Sequence, residues 1–410
     1  EDIQGNNRKY LMKLLRFVLL LLFAITHLTT TAQPKELQHY SFIDYEANKI
    51  EYCGNSFNSF KKLYAKFVRP IKQGKGQVHI LHIGDSHLQA DFFSGRARAN
   101  FQSILPGLQA SRGMVSPFTN GCPDSYKLSY SPQWKHHNIL SNNPQHNTFF
   151  ANTVSTNAQS AEITIEVNNR NPVKYDFNDL RVYHSPLKEG DEISIDYPSY
   201  TKRHNENGYT LFSLNDYTDK ITIRVNKSSD DTLYIYGFYF DSGDAGVVYN
   251  AIGVNSAEAR HYINTNNDAI LKTLHLDLII ISLGTNDCYE PGGVKTFEHN
   301  METLIAKIRT QLPEVAILLT TPSDCWYKRK QINQNMQQAC EQIKQVAQKN
   351  NCAVWDWYSI MGKKGSSTKW EREKLMQKDK VHLTLSGYYL QGDMMYNALW
   401  EEIEKSIFMR

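Results

Sequence analysis

The chain has 410 residues, of which 41% are hydrophobic and 21% charged, and its formal net charge is only +3. This composition is typical of a globular protein with room for one large domain or two ordinary ones, at roughly 100–200 residues each. The small net charge and the lack of a long Lys/Arg block argue against nucleic acid as a partner.

The first residues have the pattern of a secretory signal peptide. The basic segment Met12–Arg16 precedes the apolar run Phe17–Ile25, and Thr30–Ala32 supplies a small-residue cleavage site. We therefore predict that 1–32 comprise upstream residues and a signal peptide, and that the protein is exported. The apolar run is short for a membrane span, so we expect no stable span after cleavage. An uncleaved N-terminal anchor is the alternative.

The mature chain retains an even number of cysteines, which an exported protein can oxidise in pairs. Their spacing is irregular and has no metal-ligand pattern. We predict no metal and no other cofactor. One possible pair is Cys288 with Cys325, and free buried thiols are the alternative. The six are Cys53, Cys122, Cys288, Cys325, Cys340 and Cys352.

Continuous apolar strands alternate with amphipathic helices in the first and last parts of the chain. Such alternation predicts an α/β fold whose parallel sheet is covered by helices on both faces. Residues 33–60 are predicted as an irregular lead-in. The predicted strands are 78–83, 247–252, 276–282, 315–320 and 353–356, and the predicted helices are 60–67, 88–105, 296–311, 329–349 and 385–405.

The middle of the chain has a different pattern. Between about 116 and 240, short alternating runs are separated by clusters of Asn, Asp, Ser and Gly, which is typical of an antiparallel β-sandwich. The α/β pattern resumes only near 247. The sequence therefore predicts an α/β domain formed by 33–117 and 243–410, interrupted by an inserted β-sandwich at 118–242.

The segment Gly84-Asp85-Ser86-His87 follows the first buried strand directly. A serine at a strand-to-helix turn has its hydroxyl exposed, and its backbone N–H lies at a helix N-terminus, where developing negative charge is favoured. We predict that Ser86 is a nucleophile. His87 either contacts substrate or caps the turn, while His82 is predicted to be a hydrogen-bonded core histidine.

A serine nucleophile needs a base, a group that orients the base, and donors for the oxyanion. His382 is the predicted base, and Asp379, three residues earlier, can hold its imidazole in one tautomer. Asn286 follows a second buried strand, at the sheet edge where parallel α/β proteins bind ligands. Gly253 ends a third strand. We predict an oxyanion hole formed by Ser86, Gly253 and Asn286.

Together these segments resemble the four sequence blocks of the SGNH, or GDSL-type, hydrolases. The blocks are Gly84–Ser86, Gly253, Gly284–Asp287 and Asp379–His382, in the family's order. The resemblance covers about 75–115 and 245–405. It implies a flavodoxin-like three-layer α/β/α fold and esterase chemistry without a metal, with Ser86, His382 and Asp379 as the triad.

A narrower resemblance concerns the substrate. Histidine at 87 and the position of the β-rich insertion are similar to the O-acetylpeptidoglycan esterases of Gram-negative bacteria, whose insertion resembles a carbohydrate-binding domain. This resemblance implies an acetylesterase of the periplasm or cell envelope that acts on an acetylated glycan. Peptidoglycan is the leading candidate for that glycan.

Two other functions remain open at the level of sequence. A carbohydrate O-acetyltransferase would use the same triad, and a glycan-binding protein would keep the hydrolase part as a silent scaffold. The sequence does not indicate the oligomeric state.

Overall fold

In the computed structural model, the described residues are 34–105, 108–118, 126–141, 147–167, 173–266 and 268–408. The predicted signal peptide and Cys122 lie outside them. The strands are β1 Ile50–Tyr52, β2 Gln77–Gly84, β3 Gly113–Val115, β4 Lys127–Tyr130, β5 Lys135–Asn138, β6 Asn152–Thr156, β7 Ser160–Glu166, β8 Phe177–His184, β9 Glu192–Ile195, β10 Tyr200–Asn205, β11 Tyr209–Thr218, β12 Lys220–Asn226, β13 Leu233–Asp241, β14 Gly246–Gly253, β15 Leu278–Ser282, β16 Ala316–Thr320, β17 Trp326–Tyr327, β18 Gln331–Ile332 and β19 Ala353–Trp355.

The helices lie almost entirely outside the β-rich middle of the chain. A short 3-10 turn, Tyr45–Ala47, precedes them. They are α1 Ser56–Gln73, α2 Ser86–Gln89, α3 Phe92–Gln102, α4 Ala259–Ile263, α5 Ile270–Thr273, α6 Val294–Gln311, α7 Asn335–Asn350, α8 Trp357–Ile360, α9 Ser366–Arg372 and α10 Leu385–Phe408.

The central sheet has the strand order β1-β19-β16-β15-β2-β14. The five strands from β19 to β14 are parallel to one another, and β1 runs antiparallel at the edge. In chain order, the parallel strands follow the flavodoxin-like sequence 2-1-3-4-5. The predicted α/β class is confirmed, whereas β1 lies in the segment predicted to be irregular.

Alternate residues of the central strands enter two separate apolar cores. Ile280 packs with α1, α3 and α10 on one face, whereas its neighbours Ile279 and Ile281 pack with α6 and α7 on the other. This division follows from the period of two along a strand, and it places helices on both faces of the sheet.

The middle of the chain forms two antiparallel sheets. One has the order β10-β11-β8-β13-β6-β5, with β3 also paired to β13, and the other has the order β4-β7-β12-β9. Apolar side chains from both sheets, such as Val182, Phe238, Ile163 and Ile223, form a common core. The predicted antiparallel sandwich is therefore present, and its limits at 118–242 stay a prediction.

The sandwich packs directly against the α/β part. Phe150 and Tyr183 belong to the same apolar core as Ile270 and Leu271 of α5. The Tyr183 hydroxyl also lies 2.7 Å from the Thr273 hydroxyl. The two parts therefore share buried surface rather than being joined only by the chain.

Two predicted helices differ from the structure. The helix predicted at 88–105 is divided into α2 and α3 because Asp91 adopts a left-handed conformation, with φ of 57°. The helix predicted at 329–349 begins only at Asn335, because 326–332 form the hairpin β17–β18. No helix among the residues in the ranges given above is long and apolar enough to cross a membrane.

Candidate active site

The turn between β2 and α2 presents Ser86 at the carboxyl edge of the sheet. The Asp85 side chain caps α2 by accepting a hydrogen bond from the His87 N–H at 2.9 Å. The Tyr262 hydroxyl donates to the Gly84 carbonyl at 2.7 Å, so the last residue of β2 is held as well. The nucleophile turn is therefore fixed from both sides.

The structure brings the three predicted triad residues together. The Ser86 Oγ lies 2.9 Å from His382 Nε2, and His382 Nδ1 lies 2.8 Å from Asp379 Oδ2. The other oxygen of Asp379 accepts the backbone N–H groups of Val381 and His382 at 2.9 and 3.1 Å. The acid and the base thus form one compact turn before α10.

Hydrogen bonding determines the charges in this turn. Although burial raises the pKa of Asp379, the hydrogen bonds from His382 and the backbone lower it to about 2. The hydrogen bond to Asp379 raises the pKa of His382, against the opposing effect of burial. An ionised Asp379 accepts a hydrogen bond from the protonated Nδ1 of His382. The unprotonated Nε2 of the neutral imidazole can then accept a hydrogen bond from the Ser86 hydroxyl.

Asn286 and Gly253 lie beside the nucleophile turn. Asn286 Nδ2 donates to the Ala257 carbonyl at 3.0 Å and lies 3.4 Å from Asp85 Oδ2. A Cβ on Gly253 would lie 2.5 Å from Gln89 N and 2.6 Å from Asp85 O. Only glycine therefore allows the end of β14 to approach the nucleophile turn this closely.

A buried carboxyl group supports the loop after β14. Asp287 Oδ1 accepts the Ala259 N–H at 2.9 Å, whereas its Oδ2 has no hydrogen-bond partner in the described part of the chain. Burial raises the pKa of Asp287 to about 7, and burial likewise raises the pKa of Asp85 to about 6. Both carboxyls lie near the predicted oxyanion donors, and neither bonds to Ser86.

His87 packs against the imidazole of His382. Its Nδ1 lies 2.9 Å from the Tyr388 hydroxyl, and its ring centre lies 5.3 Å from that of His382. Burial lowers the pKa of His87 to about 3, so this neighbour of His382 is neutral. The sequence analysis did not identify Tyr388 as a residue of this site. The one signal that could have indicated it was its position one turn into the last predicted helix, shortly after His382.

His82 lies deeper in β2 and makes two hydrogen bonds. Its Nδ1 is 2.8 Å from the Tyr249 hydroxyl and its Nε2 is 2.7 Å from the Ser282 hydroxyl. Burial lowers the pKa of His82 to about 3. This arrangement agrees with the predicted core histidine. Among the described residues, no group of three or more His, Cys, Asp or Glu side chains could hold a metal.

Comparison with known families gives one match. Residues 238–390 match the GDSL-like Lipase/Acylhydrolase family. The matched range includes the loops of Asn286 and His382, whereas Ser86 lies before it, on the other side of the inserted sheets. The predicted resemblance to GDSL-type hydrolases and the predicted class, a carboxylic ester hydrolase of this type, are confirmed. No curated protein matches the chain in sequence.

Comparison with solved structures gives the fold. A peptidoglycan O-acetylesterase superposes with a TM-score of 0.70 at 19% identity, over 87% of this chain and 99% of that one. A lipase/acylhydrolase from Enterococcus faecalis matches at 21% identity, over 38% of this chain and 77% of its own, with a TM-score of 0.31. The first match confirms the predicted SGNH hydrolase fold.

Proposed function

We propose that this protein is an exported serine esterase that removes O-acetyl groups from a glycan, most directly peptidoglycan. The observation that carries the proposal is the continuous hydrogen-bonded chain from Ser86 through His382 to Asp379, at 2.9 and 2.8 Å. These three residues lie at the carboxyl edge of the parallel sheet, beside the switch in strand order between β2 and β15. Folds of this kind bind their ligands at that position.

In the first half of the reaction, Ser86 Oγ attacks the acetyl carbonyl carbon while His382 Nε2 takes the hydroxyl proton. Asp379 stabilises the imidazolium that forms. The tetrahedral intermediate collapses when His382 returns the proton to the sugar oxygen, so the deacetylated hydroxyl leaves and an acetyl-Ser86 ester remains.

In the second half, His382 takes a proton from water, and the resulting hydroxide attacks the acetyl-enzyme. Ser86 Oγ is then released and reprotonated, and acetate leaves. In both halves the N–H groups of Ser86 and Gly253 and the amide of Asn286 would donate to the oxyanion. The second hydrogen of Asn286 Nδ2 is available for this, because its 3.4 Å contact with Asp85 is weak.

The choice of a glycan substrate is supported by the whole architecture. The peptidoglycan O-acetylesterase named above shares the fold over 87% of this chain, a span too long to omit the inserted sheets. The predicted signal peptide at 1–32 supports export to the envelope, and we propose the periplasm of a Gram-negative bacterium. The inserted sandwich at 118–242 is proposed to be the glycan-recognition module.

The decisive experiment compares wild type with Ser86→Ala. We expect the substitution to lower acetate release from acetylated peptidoglycan and hydrolysis of p-nitrophenyl acetate by several orders of magnitude, as in other serine triads. Ser103→Ala is a matched control, because Ser103 follows α3 and its hydroxyl bonds only to the carbonyls of that helix. Equal rates for Ser86→Ala and wild type would rule out the proposed mechanism.

A further inference from the structure

A short hairpin bridges the two loops that carry the proposed catalytic groups. β17 and β18 pair antiparallel, and the Trp326 N–H donates to the Lys380 carbonyl of the triad turn at 2.9 Å. On the other side, the Lys328 N–H donates to the hydroxyl of Tyr289, three residues after Asn286, at 2.8 Å. The hairpin therefore forms part of the rim of the active site.

The turn of this hairpin has an unusual sequence for its backbone. Its central residues, Lys328 and Arg329, have φ values of 49° and 60°. The Lys330 N–H donates to the Tyr327 carbonyl at 3.0 Å, which closes a turn whose two central residues are both left-handed. Such turns favour Asn-Gly, because β-carbons are disfavoured there. Two long cationic side chains are therefore placed on the rim at a cost in backbone strain.

Positive charge is concentrated at this rim. The side chains of Arg329, Lys330 and Lys378 make no hydrogen bond or ion pair with any residue in the described ranges. Lys328 has one acidic neighbour, Glu290, at 3.4 Å. The Asp379 carboxylate is already paired with His382. The excess of cations is local, because the formal charge of the whole chain is only +3.

We propose that the turn Lys328–Lys330, which we call the cationic turn, is a subsite for carboxylate groups of the glycan beside the scissile acetyl ester. This inference rests on the proposed function, and it specifies the substrate as a glycan strand with carboxylate-bearing substituents, as peptide-substituted sugars have. The hairpin contacts the triad turn through Trp326 and the loop after Asn286 through Lys328, so a glycan strand bound at Ser86 that extends toward this side meets the cationic turn. Unpaired guanidinium and ammonium groups there favour an anionic neighbour.

The test uses Arg329→Glu/Lys330→Glu with two forms of one substrate. The first is acetylated peptidoglycan, and the second is the same material with its carboxylates converted to amides. We expect the double variant to lose at least about tenfold in kcat/KM on the first form, because two attractive contacts become repulsive. The rate of the double variant on the amidated form and on p-nitrophenyl acetate should change less than twofold. The decrease of kcat/KM with salt concentration, measured on the first form, should be weaker in the variant than in wild type.

Lys61→Glu/Lys75→Glu is the matched control for net charge. Lys61 is exposed on α1, and Lys75 precedes β2 at the amino edge of the sheet, opposite the active site. An equal loss on charged and amidated substrate, or an equal loss in this control, would overturn the subsite. If wild type itself fails to hydrolyse p-nitrophenyl acetate, the proposed function fails instead, so the two failures are distinguishable.

An independent observation concerns two cysteines beside the edge strand β1 of the central sheet. In the β1–β19 pair Glu51 opposes Val354 and Tyr52 opposes Ala353. The same register continued by one position, just beyond both strands, places Cys53 opposite Cys352. Opposed residues in antiparallel pairs have Cα atoms about 4.5–5.5 Å apart, within the range of about 4.4–6.8 Å found in disulfides.

Both thiols lie on the same face of the sheet. Cys352 is buried in the core formed with α6 and α7, and Cys53 packs against that same core. Their neighbours Tyr52 and Ala353 face the opposite core. Burial raises the pKa of the Cys352 thiol to about 12, against the opposing effect of Arg309. Both are free thiols in this structure, and their shared face places them on the same side of the sheet.

We infer that Cys53 and Cys352 form a disulfide in the exported protein. A thiol oxidoreductase of the envelope, or glutathione disulfide in vitro, supplies the oxidant. The Cys53 thiolate attacks the oxidant's disulfide and releases one thiol, and Cys352 then displaces the second. The oxidant gains two electrons and two protons, and the protein loses two hydrogen atoms. The bond would join the N-terminal edge strand covalently to the end of the parallel sheet.

Intact mass and peptide mapping test this bond. After treatment with glutathione disulfide, we expect a mass lower by two hydrogen atoms and a peptide linking Cys53 to Cys352, both lost in Cys53→Ser. Reduction should lower Tm by several degrees in wild type and leave the Tm of Cys53→Ser unchanged, because the closed loop is long. A map with both cysteines free, or with either linked elsewhere, would overturn the inference.

Discussion

At the scale of single residues, the most consequential interaction is the hydrogen bond between Asp379 and His382. It keeps the carboxylate ionised over the working pH range and raises the pKa of the imidazole above its ordinary 6.5. A base must be neutral to accept a proton from Ser86. In the proposed mechanism, the same hydrogen bond that orients His382 therefore also sets the acidic limit of the reaction.

We predict that kcat/KM falls as pH decreases through the raised pKa of His382, because the imidazolium form cannot act as a base. Asp379→Asn removes the anion that stabilises the imidazolium, so the acidic limb should move to lower pH while the rate falls about 10⁴-fold. Rate profiles with p-nitrophenyl acetate between about pH 4 and 9 measure both effects. An acidic limb at an unchanged pH in the variant would contradict this assignment.

A second prediction concerns Tyr388, whose hydroxyl is the partner of His87 Nδ1. Tyr388→Phe leaves that buried nitrogen without a partner, so we expect a loss of about 1–3 kcal/mol in the free energy of unfolding. Because His87 packs against the His382 ring, kcat should fall as well, with KM little changed.

Chemical denaturation and steady-state kinetics measure the two consequences of Tyr388→Phe. Tyr389→Phe is the matched control, because Tyr389 is exposed on the next position of α10. If Tyr388→Phe and Tyr389→Phe have the same stability and rate, the hydrogen bond to His87 has no structural role.

At the scale of elements, the approach of β14 to the nucleophile turn determines the shape of the site. The last pair of the β14–β2 ladder is Gly253 with Gly84. The missing side chain at Gly253 lets the strand end contact the backbone of α2, which holds the two predicted N–H donors of the oxyanion hole near each other. The geometry thus depends on backbone packing as well as on the triad.

We predict that Gly253→Ala lowers kcat at least about 100-fold, the effect typical of losing one oxyanion donor. Its Cβ would meet Gln89 N and Asp85 O at 2.5 and 2.6 Å, so the strand and the turn must move apart. Gly95→Ala in α3 is the control, because its Cβ would meet no atom closer than 3.5 Å. Equal activity in both variants would show that the close approach is not needed.

At the scale of the whole molecule, the sandwich and the α/β part are coupled by a shared core. Phe150 and Tyr183 pack with Ile270 and Leu271, and Asn250 links β2 to β3 by donating to the Ile80 carbonyl and accepting the Met114 N–H. Removal of the sandwich would expose this apolar surface to water. Point variants are therefore better tests of the sandwich than its deletion.

We predict that the two parts unfold together. Trp355, Trp357, Trp370 and Trp400 are buried in the α/β part, so tryptophan fluorescence reports mainly on that part. Far-UV circular dichroism includes the strands of the sandwich. The two transitions in denaturant should have the same midpoint, because the shared core couples them. Separated midpoints would show that the sandwich is an independent unit of stability.

Much of the architecture could be read from the sequence because burial leaves a local pattern. The segments at 78–83, 276–282 and 315–320 are rich in apolar residues, and each contains a buried parallel strand. The helix periodicity of 296–311 was equally clear, because one face of α6 is buried. The predicted helix boundaries were less reliable where a residue adopts a left-handed conformation, as Asp91 and Lys328 do.

The sequence by itself determined the order of α/β and β segments and identified Ser86, Asp379 and His382 as candidates, because short motifs and periodicity are local properties. Only the tertiary structure decided that Ser86 Oγ and His382 Nε2, 296 positions apart in the chain, lie 2.9 Å from each other. It also decided the contact of His87 with Tyr388 and the position of the cationic turn on the rim. Such contacts depend on how strands order and helices pack, which no local pattern records.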